Sequence, residues 1–267
     1  MCPLKRGRDY RRGHDLNLRS EPQMREYEAI VQRIRVDAPR RILDWGCGNG
    51  QVSDLLWQAG LDVMPFDYRP GAEEAVRPLE HYPHLRVYLS PDPRRLPFAD
   101  GAFDAVLSCG VLEHVEDPDT SLDEIGRVLV PGGMLYVYKL PNRASYLEAI
   151  ARRAGLYYHG AYAFDRVYDE DEARALLTRH GFAVEESRLT NLLPLTLTGR
   201  LAQRAADRIW QANQALSAIP GLMHFATNVE LVARNVAGSW AQPTPPEAAA
   251  HEAGPQLAEP GQHSARA

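Results

Sequence analysis

Hydrophobic and polar residues alternate along the chain in a way that predicts short buried strands with helices between them. Runs of apolar and β-branched residues, bounded by turn-forming residues, favour seven strands. These predicted strands cover residues 41–44, 61–67, 85–89, 103–109, 134–140, 182–189 and 228–235. Apolar residues recur at helical spacing in several of the segments between them. The predicted helices cover residues 23–36, 51–59, 72–80, 169–180 and 201–216. Strands that alternate with helices are typical of an α/β fold with a mostly parallel sheet.

A glycine-rich loop separates the first predicted strand from the helix that follows it. The stretch RILDWGCGNGQ, residues 41–51, has glycine at every second position from Gly46 to Gly50. Glycine permits a positive φ and lets a ligand approach the backbone closely. The loop lacks the third glycine of a dinucleotide fingerprint and the Gly-Lys of a phosphate loop. A nucleoside site of another kind is therefore the hypothesis, and a tight turn without a ligand is the alternative.

An acidic residue ends the second predicted strand at the distance that a nucleoside site requires. Asp67 follows the glycine loop by about twenty residues, which matches a βαβ unit whose second strand ends in a carboxylate that accepts from ribose hydroxyls. The alternative is a turn-forming Asp before Arg69 and Pro70. Tyr68 comes next, and its ring is able to pack against a purine.

Composition restricts the class of protein. At 267 residues with 45% hydrophobic residues, the chain can form one core of moderate size. The net charge of −5 gives no overall attraction to nucleic acid, so no nucleic-acid partner is expected. Three cysteines without CxxC spacing predict neither a disulfide framework nor a structural metal site. No apolar segment has the length of a membrane span, so we expect no stable membrane insertion and a cytoplasmic location.

The composition also divides the chain into three regions. Residues 1–22 form a basic N-terminal arm, either solvated or folded over a ligand pocket. Residues 23–236 form the folded domain. Residues 237–267, rich in Ala, Pro, Gly and Glu, predict a disordered tail.

From residue 42 to about residue 142 the sequence resembles the methyltransferase type 11 group of the class I S-adenosylmethionine-dependent methyltransferases. After the glycine loop, the segments LPF, FDAV, VLEH and RVLVPGG follow in order, and the next strand ends in PN. The resemblance implies a Rossmann-like fold with a seven-stranded, mostly parallel sheet, an antiparallel last strand and helices on both faces. It also implies S-adenosylmethionine as the cofactor.

The resemblance carries over to the glycine loop residue by residue. The positions that match the family's first motif, around the methionine part of the cofactor, are Asp44, Gly46, Cys47, Gly48 and Gly50.

Further matches concern the adenosine part of the cofactor and its amino-acid end. Asp67 matches the ribose-binding acid, Tyr68 the neighbour that packs on adenine, and Asp92 the acid that accepts from the adenine amino group. Pro93 departs from the pattern, because family members often offer a backbone N–H there and proline has none. Ser108, at the end of the fourth predicted strand, lies where the family's backbone helps to hold the amino-acid end.

His114 is the candidate catalytic residue. An imidazole that titrates near neutral pH can take a proton from an attacking hydroxyl or amine, so His114 is a possible general base. The alternative is a structural residue that ties its loop to the next helix. Cys109 is disfavoured as a nucleophile because methyl transfer needs no covalent enzyme intermediate.

Two segments are predicted to cover the acceptor, residues 143–168 and 191–226. The first is rich in aromatic residues, and Tyr158, His159 and Tyr162 are its candidates for contact with substrate. The second contains an amphipathic helix that either packs on the domain or serves as a lid, a dimer surface or a lipid-facing patch.

The expected function is transfer of a methyl group by in-line SN2 displacement to an oxygen, nitrogen or carbon atom of a small-molecule acceptor. The reaction depends mainly on orientation, so it needs no acid–base pair. The aromatic content favours an apolar or aromatic acceptor, and the sequence leaves the oligomeric state open. Two alternatives remain. One is a non-catalytic protein of the same fold that serves as a binding partner, and the other is an aminopropyl transferase.

Overall fold

A computed structural model describes residues 20–153, 164–219 and 221–236 of the chain. The predicted basic arm up to residue 19 and the predicted tail from residue 237 lie outside the described residues. So do the three candidate substrate contacts Tyr158, His159 and Tyr162.

Helices and strands alternate in the first half of the chain. The elements of this half are α1 (Glu21–Asp37), β1 (Arg41–Trp45), α2 (Gln51–Gln58), β2 (Asp62–Tyr68), β3 (Ala75–Pro78), β4 (Arg86–Ser90), β5 (Phe103–Cys109), a short 3₁₀ turn (Leu112–His114) and α3 (Pro118–Val128). The elements of the second half are β6 (Leu129–Pro141), α4 (Tyr146–Arg153), α5 (Glu170–Arg179), β7 (Phe182–Thr190), α6 (Arg200–Ser217), a second 3₁₀ turn (Leu222–Phe225) and β8 (Asn228–Asn235).

The strands form one mixed sheet in the order β3-β4-β2-β1-β5-β6-β8-β7. Strands β4, β2, β1, β5 and β6 pair in parallel, and β8 pairs antiparallel with both β6 and β7. The mostly parallel sheet with an antiparallel last strand is therefore confirmed. Parallel strands bring their carboxyl ends to one edge of the sheet, and α/β proteins bind ligands at that edge.

The helix predicted at residues 72–80 is wrong, and a short strand takes its place. Strand β3 pairs antiparallel with β4, so the sheet has eight strands among the described residues. The open edge of β4 offers backbone partners that a helix would not use. Pro78 is also incompatible with the interior of the predicted helix, because it lacks the N–H and clashes with the preceding turn.

Each face of the sheet is covered by a separate hydrophobic core. In β1, Ile42 packs with α1 and α2 on one face, while Leu43 packs with α3 and α5 on the other. In β5, Ala105 and Val106 divide between the faces in the same way. The pleat of a strand sends successive side chains to opposite faces, so both faces of a central strand are apolar. Helices on both faces follow from this pattern.

Side-chain caps define where several helices begin. The Ser20 hydroxyl accepts from the Gln23 N–H at the start of α1. Asp169 and Glu172 form a reciprocal capping box at the start of α5. Asp117 caps α3 and Pro118 follows at its first position.

None of the helices in the described part of the chain combines the length and the apolar content that a bilayer crossing requires.

Candidate active site

The glycine loop between β1 and α2 turns through left-handed backbone conformations. Gly46, Gly48 and Gly50 have φ values of 76°, 55° and 88°. The N–H groups of Gly46 and Cys47 both donate to the carbonyl oxygen of Phe66, at 2.8 and 2.9 Å. The loop is therefore anchored to the carboxyl end of β2, one residue before Asp67.

The three glycines are required for different reasons. A Cβ at Gly46 would lie 2.5 Å from Cγ2 of Val111, and a Cβ at Gly50 would lie 2.6 Å from Cδ1 of Leu79. A Cβ at Gly48 would meet nothing within 4 Å. Packing explains glycine at the outer two positions, whereas Gly48 borders open space where a ligand can approach its backbone.

Two carboxylates flank the loop, Asp44 buried and Asp67 partly buried. Asp44 accepts a short hydrogen bond from the Ser53 hydroxyl, and burial raises its pKa to about 6 against the effect of that bond. Burial likewise raises the pKa of Asp67 to about 6, and Arg69, at 3.9 Å, opposes this shift. Both carboxylates are costly to ionise without a compensating ligand.

A cavity of about 180 Å³ lies beside the loop. Gly48 and Asp67 line it together with Arg69, and β3 contributes Arg77 and Pro78. The structure thus brings two of the predicted cofactor-binding residues to one cavity. The strand that the sequence pattern did not reveal forms part of its wall.

Asp92 and Pro93 do not line this cavity. Both are exposed, in the turn that follows β4. Asp92 accepts from the Arg94 N–H at 2.8 Å and donates its own N–H to the Ser90 hydroxyl at 3.2 Å. Tyr68 is 42% exposed at the end of β2, so its ring is accessible to a ligand.

The end of β5 presents polar atoms that face the interior. Ser108 is buried, and its hydroxyl has no hydrogen-bond partner among the described residues. Burial raises the pKa of the Cys109 thiol and of the Cys47 thiol, so neither is suited to act as a nucleophile. An unpartnered buried hydroxyl is uncommon and points to a missing partner.

His114 lies between two carboxyl groups on the loop after β5. Its Nδ1 is 2.7 Å from Oδ1 of Asp165, and its Nε2 is 3.6 Å from Oε1 of Glu113. Burial raises the pKa of Glu113 to about 7, and its Oε2 has no partner among the described residues. The pattern VLEH could have drawn attention to Glu113, but nothing local could have revealed Asp165, which lies 51 residues away.

A second buried ion pair lies at the same edge of the sheet. The Lys139 ammonium, near the end of β6, is 3.0 Å from Oε2 of Glu26 and lies 5.2 Å from the centre of the Tyr27 ring. Asn191 donates to the other oxygen of Glu26. Lys139 has a φ of 61°, which is unusual for a residue with a side chain. No local pattern in the sequence identifies this group, because Glu26, Lys139 and Asn191 are far apart in the chain.

Across the residues that the structure describes, no cluster of three or more His, Cys, Asp or Glu side chains is arranged to hold a metal ion.

Comparisons with known proteins find similarity to methyltransferases. Residues 43–137 match a family model described as a methyltransferase domain. A demethylmenaquinone methyltransferase of Thermus thermophilus is 37% identical over 107 residues, which cover 39% of this chain and 49% of that protein. A probable S-adenosylmethionine-dependent methyltransferase of Mycolicibacterium smegmatis is 32% identical over 123 residues, which cover 46% of each. The chain spans about half the length of the curated relatives it matches.

A solved structure supports the fold over a longer part of the chain. This structure is the 1,6-didemethyltoxoflavin-N1-methyltransferase of Burkholderia thailandensis, with bound 1,6-didemethyltoxoflavin and S-adenosylhomocysteine. It is similar with a TM-score of 0.54 and 20% identity, covering 85% of this chain and 83% of that one. Residues 43–137 are therefore similar to methyltransferase domains, and the fold of the chain is similar to that of a solved methyltransferase.

Proposed function

We propose that this protein transfers a methyl group from S-adenosylmethionine to a small-molecule acceptor. One observation carries the proposal. The left-handed glycine loop and the Asp67 carboxylate line one cavity at the carboxyl edge of the sheet. This is the position at which an α/β sheet binds a nucleoside.

The residues present fit the cofactor. The open backbone at Gly48 admits it, and the Asp67 carboxylate is able to accept from both ribose hydroxyls. The Ser108 hydroxyl, which has no hydrogen-bond partner among the described residues, would gain one at the amino-acid end of the cofactor. The buried Asp44 carboxylate contributes negative charge next to the loop, which favours a cationic ligand.

When bound, the cofactor supplies a methyl group that its sulfonium has already activated. The protein itself aligns the acceptor with that methyl group and excludes water. His114 serves as the general base and takes the proton of an acceptor hydroxyl or amine. The acceptor atom is an oxygen, a nitrogen or a carbon, in that order of preference, and little in the sequence separates the three.

An apolar or aromatic acceptor is favoured by the two predicted cover segments. Ile150 in α4 and Leu197 and Leu201 near the start of α6 are all exposed. Exposed apolar side chains in segments predicted to cover the acceptor are suited to an apolar ligand. Several relatives are demethylmenaquinone methyltransferases, which agrees with an acceptor of this class.

Calorimetric titration of the purified full chain with S-adenosylmethionine and with S-adenosylhomocysteine tests the proposal, and NAD serves as the control. We expect micromolar binding of the first two and no binding of NAD. Binding would justify a screen of phenols, quinols and amines with labelled methyl donor. If neither adenosyl ligand binds, the alternative of a non-catalytic protein with this fold replaces the proposal.

A further inference from the structure

Asp165 is a buried carboxylate that no motif in the sequence identifies. Its side chain is 5% exposed, and its Oδ1 lies 2.7 Å from Nδ1 of His114. A carboxylate only accepts hydrogen bonds, so the contact is made when Nδ1 carries a proton. This arrangement determines which ring nitrogen of His114 donates and which accepts.

The residue after Asp165 fastens this segment to the loop that carries His114. The Arg166 N–H donates to the carbonyl oxygen of Glu113 at 3.0 Å. Its guanidinium donates to the carbonyl oxygens of Val115 and Glu116, to the latter at 2.8 Å. The backbone is therefore held immediately before and after His114, so the contact between Asp165 and the imidazole is set by a rigid frame.

We propose that Asp165 is the positioning residue for His114, holding the imidazole in the tautomer with the proton on Nδ1 so that Nε2 takes the proton of the acceptor. The inference rests on the proposed methyl transfer. Asp165 acts through His114 and touches neither acceptor nor cofactor.

Methyl transfer to an acceptor hydroxyl breaks two bonds and moves one proton to His114. The acceptor O–H bond breaks, its electron pair forms the bond to the methyl carbon, and the carbon–sulfur bond breaks with its pair left on sulfur. The proton moves to Nε2 of His114 and later passes to solvent. The imidazolium lies between the carboxyl groups of Asp165 and Glu113, which stabilise its positive charge.

A purely structural role for Asp165 would be to anchor the segment after residue 163. The two roles differ in what they do to the ring. An anchor can be replaced by Asn without effect on the tautomer, whereas the proposed role depends on the carboxylate. The Asn amide can donate to Nδ1 through its NH₂ group, which would favour a proton on Nε2 instead.

The test is nitrogen NMR of the full chain labelled with ¹⁵N-histidine, in complex with S-adenosylhomocysteine at pH 8, with His114 assigned from His114→Gln. We expect the wild-type ring to carry its proton on Nδ1, and Asp165→Asn to move a substantial fraction to Nε2. Asp123→Asn is the matched control, because Asp123 contacts Nδ1 of His180 at 2.6 Å on the exposed surface. It should change the His180 signals and leave those of His114 unchanged.

A wild-type ring protonated on Nε2 would overturn the inference without Asp165→Asn, so the test stands even where that variant fails to fold. An unchanged tautomer in Asp165→Asn would overturn it as well. Once an acceptor is known, we expect Asp165→Asn to lower kcat by about 100-fold or more while the affinity for S-adenosylhomocysteine stays within about twofold. The two proposals can be contradicted separately. Absence of binding of both adenosyl ligands would contradict the proposed function, whereas the wrong tautomer of His114 would contradict the inference about Asp165.

Discussion

Two carboxyl groups at the candidate cofactor site, those of Asp44 and Asp67, lie in surroundings that disfavour their ionised form. Burial of Asp44 and partial burial of Asp67 raise the pKa of each carboxyl group to about 6. A folded pKa above the unfolded value means that their contribution to stability is present at low pH and is lost as the pH rises through 6. Above pH 6 the ligand-free domain therefore carries two unfavourable charges. A ligand with a positive charge and hydroxyl donors offsets this cost, which is what the proposed cofactor offers.

Asp67→Ala should weaken the binding of S-adenosylhomocysteine by roughly 10- to 150-fold. The change removes charge-assisted hydrogen bonds worth about 1.5 to 3 kcal/mol. Asp92→Ala should also weaken binding, but less, because Asp92 is exposed and already accepts from the Arg94 N–H. Calorimetric titration of both variants measures the difference. Equal affinity of the Asp67 variant and the wild type would show that the cofactor site lies elsewhere.

Cofactor affinity should fall as the pH is lowered from 7.5 to 5. Protonation of Asp44 and Asp67 near pH 6 removes the negative charge and one acceptor position on each carboxyl group. In Asp67→Asn the pH dependence should become shallower, because one of the two titrating groups is gone. Titrations at intervals of half a pH unit provide the measurement. An affinity that rises towards pH 5 would contradict the assignment of these carboxylates to the site.

At the scale of elements, the loop between β1 and α2 serves both packing and binding. A Cβ at Gly46 or at Gly50 would come within 3 Å of the side chain of Val111 or of Leu79, so that side chain would have to shift. Gly48, between them, faces the cavity. One short loop thus holds β1, β2 and the turn after β5 together while it exposes its backbone at a single position.

Gly48→Ala should abolish cofactor binding while the protein remains folded. The added methyl group meets no protein atom within 4 Å but projects where the ligand approaches, and the positive φ adds about 1 kcal/mol of strain. Gly132→Ala is the matched control, since Gly132 has a φ of 80°, its surroundings are open and it lies near the start of β6. Thermal unfolding should show a similar small loss in both variants. A control that loses affinity to the same extent would indicate a general effect of strain.

At the scale of the whole molecule, one ion pair and its hydrogen-bond partner join three parts of the chain at the carboxyl edge of the sheet. Lys139 at the end of β6 contacts Glu26 in α1, and Asn191 after β7 donates to the same carboxylate. The N-terminal helix and the second predicted cover segment are thereby attached to the edge of the sheet. Burial of Glu26, at 2% exposure, makes the attachment depend on its partner.

Lys139→Met should destabilise the protein by about 3 to 5 kcal/mol, because it leaves the Glu26 carboxylate buried without a counter-charge. The double variant Glu26→Gln with Lys139→Met should recover part of the loss, since both charges are then removed. Urea unfolding of the wild type, the two single variants and the double variant completes the cycle. Additive losses would show that the two side chains do not interact.

The sequence by itself determined the elements whose information is local. The apolar runs of β1, β5 and β6 are long enough to identify buried strands, and the alternating glycines identify a left-handed loop, which Gly46, Gly48 and Gly50 adopt. The helix at residues 200–217 and the capped helix α5 were also predicted, because amphipathic spacing and N-cap residues are properties of neighbouring positions.

Only the tertiary structure decided the features that depend on distant partners. The segment of β3 becomes a strand because the edge of β4 is available to it, and neither its length nor its composition specifies that edge. Asp165 reaches His114, and Glu26 reaches Lys139, across 51 and 113 residues of chain. The spacing of these residues in the sequence does not predict such contacts, because it is the packing of the sheet and its helices that brings the groups together. The candidate cofactor loop was therefore predictable from its own residues, whereas the surroundings of the candidate base were not.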